Sequence, residues 1–342
     1  MNKTYLYWFT VVVATLPIAS IARGDAWISV ELILTSQNDP LAQREWLETL
    51  SSAGADDVRV VNSGRSKEPS LTQTGSAERP RYKLIGAVDS RGQLLLPGGR
   101  FGQRDVSKLR KYFESLSADG TEGVTAERGK FGLTKNQTQQ VTDDLARPLG
   151  FATTGIALGD VLKQADQGTK LSLHMDDQVW RQVSKAQPVP EEFQTLTTGT
   201  ALAIMLKREG LVLVPTKPQG KEVELRIERA SDATGDSWPI GWKPNRSPSE
   251  LAPATAEEIN AEVEGFTLAE AMKSIEPRLG IPVYWDHATM QAKEIDPNEV
   301  NVRLARQRTR LGRVADRLLF QGRLRGDILV DEAGTPFYWI SR

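Results

Sequence analysis

Two stretches of this chain, 110 residues apart, carry the same pattern, and that limits its architecture more than any other feature. GIALGDVLKQADQGTKLSLHMDD (155–177) aligns without gaps with GFTLAEAMKSIEPRLGIPVYWDH (265–287). Gly155/Gly265, Leu158/Leu268, Lys163/Lys273 and Asp176/Asp286 are identical; Asp160/Glu270, Leu162/Met272, Leu171/Ile281 and Leu173/Val283 keep their character. The same order of elements follows twice: a strand (193–197; 300–304), a helix (200–208; 311–320) and a hairpin (211–215 with 223–227; 324–330 with 336–340). A period this long means two tandem domains rather than a solenoid. They are expected at 148–228 and 260–342, each of the order (β)αββαββ. Residues 229–259 lie between them; four prolines, Trp238 and Trp242 in polar sequence predict an extended linker.

A third module is expected at 27–118. WISVELILT (27–35) is β-branched-rich and apolar on both faces, which predicts a central strand. Asp39-Pro40 reads as an N-cap with proline at the first helical position, and Gln43, Trp46, Leu47 and Leu50 fall on one helix face ending near Gly54. Val58–Val61 is a second strand. Residues 62–80 are Ser-, Gly- and Pro-rich with no core-forming residues, and read as a loop. A hairpin (82–88 with 93–97) and an amphipathic helix (105–116) complete the module, and 119–147 is a connector holding one short helix from Lys135. The fold class is α+β, three small modules.

The N-terminus has Lys3 and an apolar stretch from Tyr5 to Ala22 broken by Pro17. Small residues follow at Gly24 to Ala26, where a signal peptidase cuts. Residues 1–26 therefore predict an exported protein of the periplasm or cell envelope, attached to a membrane only if the signal is kept. Cysteine is absent, so disulfides, haem attachment and thiol chemistry are excluded.

The second copy, through TLAEAMKSIEPRLGIPVYWD, VNVRLARQRTRLGRVADRLLFQGRL and FYWIS, resembles the short N-terminal domain of secretins and TonB-dependent receptors. The first copy resembles it less closely, through ALGDVLKQ, LSLHMDD and LTTGTALAIMLKREGLVLV. The WPIGWKP and VDEAGTPFYWI segments are also similar to a family of exported bacterial proteins without an assigned function. The resemblance implies protein–protein docking in the envelope, not catalysis. The chain departs from that family by about 12 extra residues after each second strand.

No catalytic, cofactor or metal residues are expected. His174 and His287 are the only histidines, and the carboxylates near them, Asp176 and Asp286, are placed to cap the next turn or helix. Gly98-Gly99-Arg100-Phe101-Gly102 lacks the Lys-Ser/Thr of a P-loop and reads as a tight strand-to-helix connection. The alternative to a docking protein is an envelope hydrolase with a carboxylate site between modules one and two.

Charge is divided within the last module. Residues 257–300 hold ten carboxylates against three basic residues, whereas 301–325 hold eight arginines against Asp316. Arg303 is expected to point outward from its strand, and Arg310, Arg313 and Arg317 to lie on the solvated side of the following helix. These four, with Trp238 and Trp242, are the candidate partner-binding residues, for an envelope protein or a second copy. Alternatively, the arginines pair with the acidic half of their own module, and the tryptophans pin the linker to a neighbouring domain. Nucleic acid is not an expected partner for an exported chain.

Overall fold

The computed structural model describes residues 26–34, 40–61, 68–76 and 79–342. The expected leader and its cleavage site, the Asp39 cap and residues 62–67 lie outside them. The fold is α+β, and the chain divides into two compact units, Met1–Ala126 and Glu127–Arg342.

The first unit comprises β1 (Trp27–Leu34), α1 (Pro40–Ala53), β2 (Asp57–Val60), β3 (Ser70–Gly75), β4 (Pro80–Val88), β5 (Leu94–Leu96), β6 (Gly99–Phe101) and α2 (Val106–Thr125). Its sheet has the order β2-β1-β4-β5-β6, with β3 also on β4. β1 is central and parallel to both neighbours. Ile28, Val30 and Leu32 point to one face, with Tyr82 and Leu84 of β4, into a core with Trp46, Leu50, Leu109 and Phe113 from the two helices.

The second unit comprises a 3-10 turn at Lys130–Gly132, α3 (Lys135–Leu145), α4 (Leu158–Gly168), β7 (Leu173–His174), α5 (Asp177–Lys185), α6 (Thr198–Arg208), β8 (Leu211–Thr216) and β9 (Glu224–Arg229). It continues with α7 (Pro248–Leu251), a 3-10 turn at Pro253–Ala256, β10 (Glu258–Thr267), α8 (Leu268–Leu279), β11 (Val283–Trp285), α9 (His287–Ala292), β12 (Asn301–Arg310), α10 (Leu311–Gln321), β13 (Arg325–Val330) and β14 (Pro336–Ser341). Two three-stranded sheets, β7-β9-β8 and β11-β14-β13, share one plan. In each, the last strand is central, antiparallel to its hairpin partner and parallel to the short strand. β10 and β12 form a separate antiparallel ribbon with two register shifts.

Two segments hold the second unit together. From Thr198 to Leu206 every residue of α6 is buried, as in a helix with layers on more than one side. Its Leu202 and Leu206 share a cluster with Leu213 and Leu225 of the first sheet and with Tyr284, Phe337 and Trp339 of the second. β14 is buried on both faces. Phe337 and Trp339 join the α6 cluster, while Tyr338 and Ile340 join the cluster around α8 and α10, because successive strand residues point to opposite sides.

Several expectations are corrected. Residues 70–75, read as part of a loop, form β3, an exposed edge strand hydrogen-bonded along β4. Its polar SLTQTG composition hid it, since only Leu71 packs against the core. α2 does not end at Leu116. It bends at Gly120 (φ 70) and continues to Thr125, passing so close to Gly98 that a β-carbon there would lie 1.8 Å from the Val124 carbonyl oxygen. The supposed connector contributes Leu133, Val141 and Leu145 to the second unit's core.

The order (β)αββαββ also fails in detail. Residues 193–197 form no strand, α5 and α9 follow the short strands, and β12 runs on to Arg310. Nor do residues 229–256 hang free. Trp238 N donates to Leu213 O (2.7 Å) in the first sheet, and Trp242 exchanges backbone bonds with Val330 (2.7 and 3.0 Å) in the second. Trp238 is buried, stacks on Phe131 (5.5 Å) and meets Trp242 edge-on (5.8 Å). It is therefore part of the core and not a surface offered to a partner; Trp242 is half-buried in the same strap.

Candidate docking surface

Polar contacts between the two sheets surround α6. Glu332, in the β13–β14 turn, accepts hydrogen bonds from Thr200 Oγ1 (2.9 Å) and Thr200 N (3.3 Å), and from Thr197 Oγ1 and Trp238 Nε1. Asp331 beside it accepts from Thr197 N (3.2 Å). The first turn of α6 is thus capped by carboxylates 130 residues further along, where the helix dipole favours negative charge. At the other end of α6, Lys207 reaches the buried Asp286 (2.7 Å). Asp286 caps α9 through Thr289 N (3.1 Å), and Asp176 caps α5 through Gln178 N and Val179 N, as the sequence predicts. His287 pairs with Glu191 (3.1 Å). Tyr284 stacks on Phe193 at 4.9 Å and donates to the Glu192 carbonyl; burial raises its hydroxyl pKa and keeps it a donor.

The seam itself leaves little room. Its cavity, between Phe193, Met205, Trp285 and Trp339, measures about 20 Å³, space for a single water. The buried carboxylates are fully engaged. Asp144 accepts from Lys170 N and Leu171 N, Asp286 from Lys207 and Thr289, and Asp331 from Thr197, Ala333 and Thr335. No group of three or more His, Asp or Glu side chains suited to a metal occurs among the described residues.

A larger feature borders β11, a cleft of about 900 Å³ between that strand, α8 and the 294–298 turn. Met272, Tyr284, Met290 and Ile295 form apolar parts of its lining, and Glu191, Glu192, Glu276, Glu294 and Asp296 face Lys273 as its only Lys or Arg. Glu276 accepts from Val283 N (3.1 Å), which occupies part of the free edge of β11. Of the five carboxylates, Glu191 alone makes an ion pair among the described residues, with His287.

The ribbon carries the opposite charge. Val302 and Leu304 face the core, while Arg303, Arg306, Arg308 and Arg310 are exposed along β12, and Arg313 follows in the first turn of α10. Arg303 pairs with Glu264 (3.2 Å) and Arg308 with Glu258 (2.8 Å), both from β10. Such exposed pairs contribute about 0–1 kcal/mol each. Arg317 donates to Gln307 Oε1. Gln321 closes the outer edge of β12, accepting from Arg303 N (2.9 Å) and donating to Arg303 O (3.1 Å). Arg306, Arg310 and Arg313 make no ion pair among the described residues. Phe266 and Phe320 are 51% and 81% exposed; Phe266 pairs with Val302 in register, and Phe320 precedes Gln321.

Of the predicted partner-binding residues, Arg303, Arg310, Arg313 and Arg317 share this region. Arg310 ends the strand at the N-cap position of α10, without a capping side-chain hydrogen bond, rather than lying on the helix face. Arg306 lies beyond the strand expected at 300–304, which in the structure continues to Arg310; the period-two run Arg306, Arg308, Arg310 is the sequence signal for that extension. The Gly98–Gly102 segment forms β6 and its flanks, and Asp105 accepts from Gly102 N (2.9 Å), which places a carboxylate where a phosphate would have to sit. Comparison with protein-family models, curated proteins and solved structures finds no match to this chain.

Proposed function

We propose that this chain is an exported, non-catalytic interaction protein of the cell envelope, which docks an acidic partner through β12 and the start of α10. The carrying observation is the exposed row Arg306, Arg310 and Arg313, which makes no ion pair among the described residues while Arg303 and Arg308 pair with β10. Export rests on the lysine-led apolar N-terminus. The common plan of the β7-β9-β8 and β11-β14-β13 sheets supports tandem copies of one docking module, in line with the secretin and TonB resemblance. Within the second unit, the buried carboxylates Asp144, Asp286 and Asp331 are taken up by backbone and side-chain donors and offer no free acid–base pair.

The test is retention of the full chain on immobilised poly-glutamate across a salt series. Exposed charges are screened beyond about 8 Å at physiological ionic strength, so retention should fall steeply with salt. The triple substitution Arg306→Glu, Arg310→Glu, Arg313→Glu should abolish it. Equal retention of the triple variant would refute the assignment of the surface.

A further inference from the structure

We infer that the acidic partner is a second copy of this chain, whose cleft beside β11 receives the arginine face of the ribbon. This rests on the docking reading above and adds the identity of the partner. Two surfaces of the second unit have opposite charge that ion pairs among the described residues leave largely unmatched. Arg306, Arg310 and Arg313 have no ion pair among the described residues, and neither do Glu192, Glu276, Glu294 and Asp296 in the cleft. A polyanion would satisfy the arginines and leave the cleft empty, whereas a second copy satisfies both.

The apolar parts also match. Phe320 stands exposed next to Gln321, which bonds the Arg303 backbone, and the cleft is lined by Met272, Met290 and Ile295; methionines adapt readily to an inserted ring. Strand addition is not the mode of contact. At Arg303 the β12 edge is occupied by Gln321, and Val283 N of β11 is occupied by Glu276. The contact is therefore face into cleft. Two strands of ten residues, at about 3.3 Å per residue and about 5 Å apart, offer only a few hundred Å². That is below the roughly 800 Å² per partner of a standard stable interface, so the association is weak and governed by electrostatics.

Sedimentation velocity of the full chain at about 20 mM and about 500 mM salt tests this. Association is expected at low salt and at least about tenfold weaker at high salt. Arg306→Glu with Arg310→Glu and Arg313→Glu should be monomeric, as should Glu294→Arg with Asp296→Arg. An equimolar mixture of the two variants should associate again, because each reversed surface then meets its complement; rescue of this kind also shows that both variants are folded. A wild type that stays monomeric at low salt, or variants that associate alone, or a mixture that does not, would overturn the inference. Retention on poly-glutamate by a wild type that never self-associates would leave the docking surface standing and reject only the second copy as its partner.

Discussion

Replacing Glu332 with alanine should loosen the second unit at one identifiable point. The side chain accepts four hydrogen bonds, from Thr197 Oγ1, Thr200 N, Thr200 Oγ1 and Trp238 Nε1. Thr197, Thr200 and Trp238 are 2%, 0% and 4% exposed, so water does not readily replace the lost acceptor. The threonine hydroxyls can rotate to other acceptors, but the indole N–H cannot. One orphaned buried donor costs about 1–3 kcal/mol, and loss of a carboxylate at a helix N-terminus adds about 0.3–1 kcal/mol. The expected destabilisation is about 1.3–4 kcal/mol, at about 2–4 °C per kcal/mol for a body of this size. Calorimetric melting of wild type and Glu332→Ala should show the second unit's transition roughly 3–16 °C lower. Glu332→Gln should fall between, since it keeps one acceptor and adds an amide donor among donors. Glu222→Ala, an exposed acid on the loop before β9, serves as control. A Glu332→Ala transition within about 1 °C of that control would refute the argument that this carboxylate joins the two sheets.

Gly199→Ala should destabilise, although alanine for glycine inside a helix normally stabilises by about 0.5–1 kcal/mol; its β-carbon would lie 2.4 Å from Glu332 Oε1 and 2.6 Å from Trp238 Nε1, and chemical denaturation reads the sign. Phe337→Ala, at a fully buried site, should cost about 3–5 kcal/mol and lower the second unit's transition in the same melts. Asp286→Ala removes the acceptor of Lys207 and the α9 cap and should cost about 2–3 kcal/mol, measurable by urea unfolding. Burial raises the Glu192 pKa, but hydrogen bonds from Gln194 N and from Thr153 outweigh it and leave the carboxyl below its ordinary 4.5. A depressed carboxylate stabilises above its unfolded pKa and loses that contribution as pH falls through the folded value. Glu192→Gln should therefore be less stable than wild type at neutral pH, by a difference that shrinks as pH falls through the acid range, read from urea unfolding at a series of pH values.

Much of the architecture was legible in the sequence because it rests on local signals. The strand β1, the caps at Asp176 and Asp286, the order of helix and hairpin in each repeat and the sign of the charge on β12 all follow from a few neighbouring residues. What was missed depends on contacts between distant segments. TGTALAIML in α6 has almost no polar face, and FYWI in β14 is apolar at four successive positions. Both are signatures of elements covered on two sides, yet neither says which surface covers them. The tryptophan strap looked like a linker because its prolines and polar residues are local, whereas its bonds to Leu213 and Val330 are not. The arginine face was half visible. Its charge lay in the composition, but its extent depended on β12 continuing past Leu304, which only pairing with β10 defines.

β14 also has a consequence for the order in which the second unit can form. Residues 336–341 supply the central strand of one sheet and fill two cores from opposite faces, and they leave the ribosome after everything they hold together. Until then α6 has only one of its covering layers, and the hairpin turn bearing Glu332 has no second arm. A nascent chain built this way leaves the second unit incompletely packed until residues 336–341 have emerged. On the export reading proposed above, such late closure is an advantage, because premature folding would block passage through a translocation channel.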